Sequence, residues 1–159
     1  VMRDVDIIRF LRYTDDRKTK KSYHPMGEEA SLVYMHFDKK DIEKYLQGVR
    51  KAIDAGKYQI SPRSKNGDLL INYLISEEDE LDIIRDLTPM DFSSAVPNEH
   101  RGREYEVLYI FGKDIRLRER YGNKKRSISL YIKFNKISDQ YLFIISFHEQ
   151  ERALSYYFK

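Results

Sequence analysis

Ser127–Glu149, SISLYIKFNKISDQYLFIISFHE, decides the fold. Ile128, Leu130, Ile132 and Phe134 alternate with Ser127, Ser129, Tyr131 and Lys133. Successive side chains of a strand point to opposite faces, so this is a strand with one apolar face. The other face carries hydroxyls, a phenol and an ammonium. After the turn NKISDQ, the run YLFIISF predicts a second, neighbouring strand that ends at His148 and Glu149, a titratable pair. The two strands bring a Tyr, a Lys and a His to one place. Such a face suits chemistry on a phosphodiester, and it also has the pattern of a solvated face with a polar edge.

Upstream the period changes from two to that of a helix. Ile42, Tyr45, Leu46, Val49 and Ile53 fall at helical spacing, Asp38 or Asp41 can cap the start, and Ala55-Gly56 supplies the stop. An extended piece, YQISPR, leads to a short helix over GDLLINYL. Ser76 to Asp79 forms a capping-box pattern, and Leu81, Ile84 and Leu87 continue a third helix. Thr88-Pro89 ends that helix and opens another turn, with Asp91 three residues after Thr88. SSAVPNEHRGR reads as a loop before the strand EYEVLYIF and a further strand over DIRLRER. Helices followed by a run of strands predict an α+β domain with the helices packed on one face of a small antiparallel sheet. That domain covers residues 41–159. Residues 1–40 read as an N-terminal extension: a short amphipathic helix in DVDIIRFLRY, a loop around Pro25 and Gly27, and a strand in SLVYMHF.

At 159 residues the chain is long enough for one domain with a proper core. No apolar run approaches the ~20 residues of a membrane span, and no secretory signal is visible. Cysteine is absent, which removes disulfides, thiolate metal sites and thiol nucleophiles and fits a cytoplasmic protein. His24, His36 and His100 have no metal-ligand spacing and read as ordinary surface residues, so neither metal nor cofactor is expected. The net charge of +3 is unevenly spread. Between Arg101 and Arg126, nine Lys or Arg stand against four acids, and the group Arg116, Arg118, Arg120, Lys124, Lys125 and Arg126 is the candidate surface for a polyanion, nucleic acid above all. Thirteen Tyr suit base stacking and protein contact equally.

The order of landmarks VRKAIDAGKYQISPR, LTPMDF, EVLYIFGKD, SLYIKF and IISFHE resembles the MqsR family of bacterial toxins, in its Gram-positive branch, over about residues 41–159. The resemblance implies a RelE-type ribonuclease fold, metal-independent cleavage of messenger RNA, and a cognate antitoxin that blocks it. It places the family's sheet tyrosine on Tyr131, its neighbouring basic residue on Lys133, its basic residue after the Ser-Phe of the last strand on His148, and the acid opening its central strand on Glu106. One departure is plain. Where the family places a catalytic Lys after the Asp-aromatic pair, this chain has Ser93-Ser94.

The chemistry can also be read from the residues. RNA cleavage needs a base for the 2′-OH proton, an acid for the leaving 5′-oxygen and cations for the phosphorane. His148 has the pKa for either proton step. Tyr131 can donate a proton or position the scissile group, and Lys133 with Arg126 or Arg120 can hold the phosphate. Against the enzyme stands a binding protein on the same scaffold: a phage- or plasmid-borne inhibitor without catalysis, gripping a host defence nuclease such as a CRISPR effector.

Overall fold

The computed structural model describes residues 36–137 and 141–159. The readings of DVDIIRFLRY, of the loop at Pro25 and Gly27, of His24 and of most of SLVYMHF lie outside those residues. Helix α1 (Lys39–Asp54) starts at Asp38, whose carboxylate accepts the Lys40 N–H at 3.0 Å. It buries Ile42, Tyr45, Leu46, Val49, Ala52 and Ile53 along one stripe. Gly56, at φ 69°, closes its end in the left-handed conformation that glycine adopts without a steric cost. Strand β1 (Tyr58–Ile60), α2 (Ser64–Asn72) and α3 (Glu77–Arg85) follow. Ser76 and Asp79 make both bonds of the predicted capping box, and the pair Thr88 and Asp91 repeats it at the 3₁₀ turn Pro89–Asp91.

Strands β2 (Phe92–Pro97), β3 (Val107–Arg118), β4 (Lys125–Ile137) and β5 (Tyr141–Glu149) complete one sheet of order β1-β5-β4-β3-β2. The result is an α+β domain with its helices on one side of the sheet, an arrangement that fits that of RelE-type ribonucleases. Three details differ from the sequence reading. The sheet is mixed, because β1 joins β5 in parallel while every other pair is antiparallel. SSAVP is strand rather than loop, because its backbone pairs with β3 while a bulge at Ser93 absorbs the irregularity. EYEVLYIF and DIRLRER are not two strands: β3 runs unbroken through Gly112, its ladder to β4 continuous from Tyr109 to Arg118.

Ile128, Leu130, Ile132 and Phe134 face the helices as predicted and are 5% exposed or less. Phe92, Phe111, Phe134 and Phe147 fill the core between sheet and helices, where Tyr45 of α1 stacks on Tyr109 at 3.9 Å. Phe37 packs edge-on against Phe92, so the core begins a few residues before position 41. No helix among the described residues is long and apolar enough to cross a membrane.

One charge sits among the apolar positions. Glu80 lies on the buried face of α3 at 3% exposure. Burial first, and the Glu77 carboxylate second, push its pKa up to about 7 from an ordinary 4.5. The folded protein therefore binds this proton more tightly than the unfolded chain between those values, so stability falls as pH rises through that window. Glu80→Gln is expected to raise the melting temperature at pH 8, by no more than about 3 kcal/mol in stability, and to change little near pH 4.5. Thermal unfolding at the two pH values checks this, and an equal effect at both would contradict it.

Candidate functional site

The face of the sheet away from α1 and α3 carries the alternate set of side chains. In the β4–β5 ladder Tyr131 lies opposite His148 and Lys133 opposite Ser146. The Tyr131 and His148 rings stack at 5.3 Å and 18°. All four residues line one hollow of about 560 Å³, so the structure brings Tyr131, Lys133 and His148 together. One wall is the start of α2, Arg63, Ser64 and Lys65; the other is the segment after β5, Glu151 to Leu154.

That segment crosses the open face as a strap. Gln150 donates to the carbonyls of Ser129 and Leu130, the Ser93 hydroxyl donates to the Ser155 carbonyl at 2.6 Å, and Tyr157 N–H donates to the Phe92 carbonyl. Its crossing point is Gly112. A Cβ there would meet the Tyr156 hydroxyl, with Gln150 Nε2 and Leu154 Cδ1 each 2.9 Å away. Glycine admits the close approach of strap to strand.

The electrostatics follow from burial. Tyr131 is half-buried, and desolvation raises its phenol above the ordinary value against the lowering effect of Arg63, so it stays protonated. Lys133 is half-buried too; desolvation and then the Arg63 cation lower its pKa. His148 Nδ1 lies 2.8 Å from the carbonyl oxygen of Glu149. A carbonyl only accepts, so Nδ1 carries the proton and Nε2 of the neutral ring is left as the acceptor. Glu149 points its carboxylate elsewhere, 3.4 Å from the Tyr73 hydroxyl, because neighbours in a strand face opposite ways.

The remaining predicted residues divide. Glu106 does not line the hollow; its carboxylate accepts from the buried amides of Asn98 and Asn135 and fixes the end of β4 to the loop before β3. Arg120 binds the carbonyls of Leu70 and Tyr73 and fastens the end of α2 to the sheet, and Arg126 pairs with Glu119. Neither is the phosphate-holding partner of Lys133. Arg116, Arg118 and Lys125 are exposed, and the register puts them on the face that Tyr131 occupies. Lys124 is exposed in the connection between β3 and β4.

Sequence reasoning missed Arg63, the cation that acts on both Tyr131 and Lys133. It also missed a second hollow of about 600 Å³ that shares Arg63, Tyr131 and Lys133 and is lined further along by Glu99, His100, Arg103 and Phe143. Among the described residues no group of three or more His, Cys, Asp or Glu is placed to hold a metal ion. Neither the family models, nor the curated proteins, nor the solved structures contain a match to this chain.

Valine suits a strand, so Gly112→Val leaves β3 intact and pushes on the strap alone. The expected cost is about 1–3 kcal/mol of overpacking. Amide exchange should accelerate in residues 150–156 while the β3–β4 ladder keeps its protection. Unchanged exchange in the strap would show that the crossing at Gly112 is not tight.

Proposed function

We propose that this chain is an MqsR-like endoribonuclease that cleaves messenger RNA in the cytoplasm and is neutralised by a cognate antitoxin. The observation that carries the reading is the convergence of Tyr131, Lys133 and His148 in one hollow beside Arg63. In this reading His148 Nε2 removes the 2′-OH proton as the 2′-oxygen attacks phosphorus. Lys133, whose lowered pKa makes its ammonium a better acid than an ordinary Lys, protonates the departing 5′-oxygen. Arg63 and the Tyr131 hydroxyl stabilise the charge on the phosphorane between those steps. The products are a 2′,3′-cyclic phosphate and a free 5′-hydroxyl. All of these roles fall to side chains, and no cofactor is called on. The exposed row Arg116, Arg118 and Lys125 would lead the strand to the hollow by its charge.

One observation favours the second reading, a non-catalytic inhibitor that binds a host defence nuclease such as a CRISPR effector. Ser93-Ser94 stands where the family resemblance places a catalytic Lys, with Ser94 in the position of that Lys, and the neighbouring Ser93 hydroxyl is committed to the strap.

Cleavage of a messenger RNA by the purified protein separates the two. The nuclease reading expects His148→Ala to slow cleavage by about 10²–10⁴-fold. It expects Arg116→Glu with Arg118→Glu to weaken RNA binding and to reduce the slope of log K against log salt by about two. Arg120→Ala should lower the melting temperature more than the affinity for RNA. An intact fold that binds a nuclease stoichiometrically, cleaves nothing and is indifferent to His148→Ala would establish the inhibitor instead.

A further inference from the structure

Among the described residues, helix starts are closed by their own side chains, with one exception. Asp38 closes α1, the Ser76 and Asp79 pair closes α3, and the Thr88 and Asp91 pair closes the 3₁₀ turn. The α2 start has Arg63 in the capping position, no side-chain cap and no acid in the first turn. The N–H groups of Asn66 and Gly67 find the Arg63 carbonyl, whereas those of Ser64 and Lys65 make no hydrogen bond among the described residues. Two free donors and the positive end of the helix thus lie at the wall of the hollow.

A second, independent feature meets them there. The Ser146 side chain, 2% exposed, lines the same hollow, and among the described residues its hydroxyl is engaged in no side-chain hydrogen bond, so it is open to the hollow alone. Its position is fixed by Asn66, the third residue of α2, whose Oδ1 accepts from Phe147 N–H at 2.9 Å and whose Nδ2 donates to the carbonyls of Ile145 and Ser61. Those bonds take up the backbone on either side of Ser146, at the irregularity where β5 slips against β4. Ser146 is thereby held between the start of α2 and Lys133. The charge agrees. Arg63, Lys133 and Arg152 line the hollow, and the one carboxylate among its described lining residues, Glu151, is paired with Lys65.

We infer that the start of α2, together with Ser146, Arg63 and Lys133, is a binding site for a phosphate group, with the Ser64 and Lys65 N–H groups and the Ser146 hydroxyl as donors. The inference rests on the endoribonuclease reading for its natural ligand, a phosphate of the RNA chain seated beside the Tyr131–His148 pair. The site itself is built for the phosphoryl group whether it comes from a polynucleotide or from solution.

Inorganic phosphate is the direct probe, titrated at constant ionic strength into isotopically labelled full-length protein with chloride as the control. Saturable downfield shifts are expected at the Ser64 and Lys65 amides in phosphate and not in chloride. Arg63→Gln, at an exposed position that leaves the fold alone, should weaken phosphate binding by about tenfold. Ser146→Val, checked for a folded spectrum, should weaken it to a similar degree. A dinucleotide joined by one phosphodiester should move the same two amides, and the matching pair of free nucleosides should not. Unmoved Ser64 and Lys65 amides, equal shifts in chloride, or full affinity in Arg63→Gln would overturn the inference. The two readings fail separately. Phosphate binding without RNA cleavage sinks only the nuclease, and His148-dependent cleavage without the amide shifts sinks only this site.

Discussion

The hydrogen bonds of the Asn66 side chain are the constraint on which the rest of the open face depends. A single buried amide satisfies backbone groups of β5 on both sides of Ser146 and another at the end of β1. Without it, Phe147 N–H and the Ile145 carbonyl would be left unpaired where β5 departs from a regular ladder, a loss of about 1–3 kcal/mol for each buried group. The same bonds dock the first turn of α2 against the sheet. The position of Arg63 relative to Lys133, and with it the electrostatics of the hollow, follows from that docking.

A second constraint comes from the strap. Residues 150–158 return from the end of β5 across β4 and β3 to β2, and Tyr157 reaches the core aromatics Phe37 and Phe92. The hollow is therefore walled by two segments far apart in sequence, joined by the pair of Lys65 and Glu151. That surface pair alone contributes little, under about 1 kcal/mol. The aromatic contacts at the far end of the strap are what hold it in place.

Much of this architecture is legible in the sequence because its signals are local. The alternation from Ile128 to Phe134, the helical stripe from Ile42 to Ile53 and the Ser76–Asp79 cap each depend on neighbours a few residues away. The convergence of Tyr131 and His148 was also within reach, since adjacent strands and period-two alternation imply a shared face. What could not be read is non-local. SSAVP carries turn-forming residues and becomes a strand only because β3 offers it a partner. Three residues at Tyr58–Ile60 are too few for a periodic signal, and their parallel pairing is set by the distant β5. Arg120 looks like its exposed neighbours Arg116 and Arg118, yet it is consumed by helix carbonyls that only the tertiary fold brings to it. Arg63 stands in a short loop with no pattern of its own, and only the docking of α2 shows which cation faces Lys133.

The parallel pairing of β1 with β5 sets an order of events. Tyr58 pairs with Leu142, and among the described strands β1 has β5 as its one neighbour. The first strand of the sheet must wait for the last one, which makes closure a contact of high sequence separation and a slow step. The hollow is subject to the same delay, because Tyr131 needs His148 and the start of α2 needs the β5 bulge. During synthesis a nascent chain that has not yet exposed β5 has no assembled site.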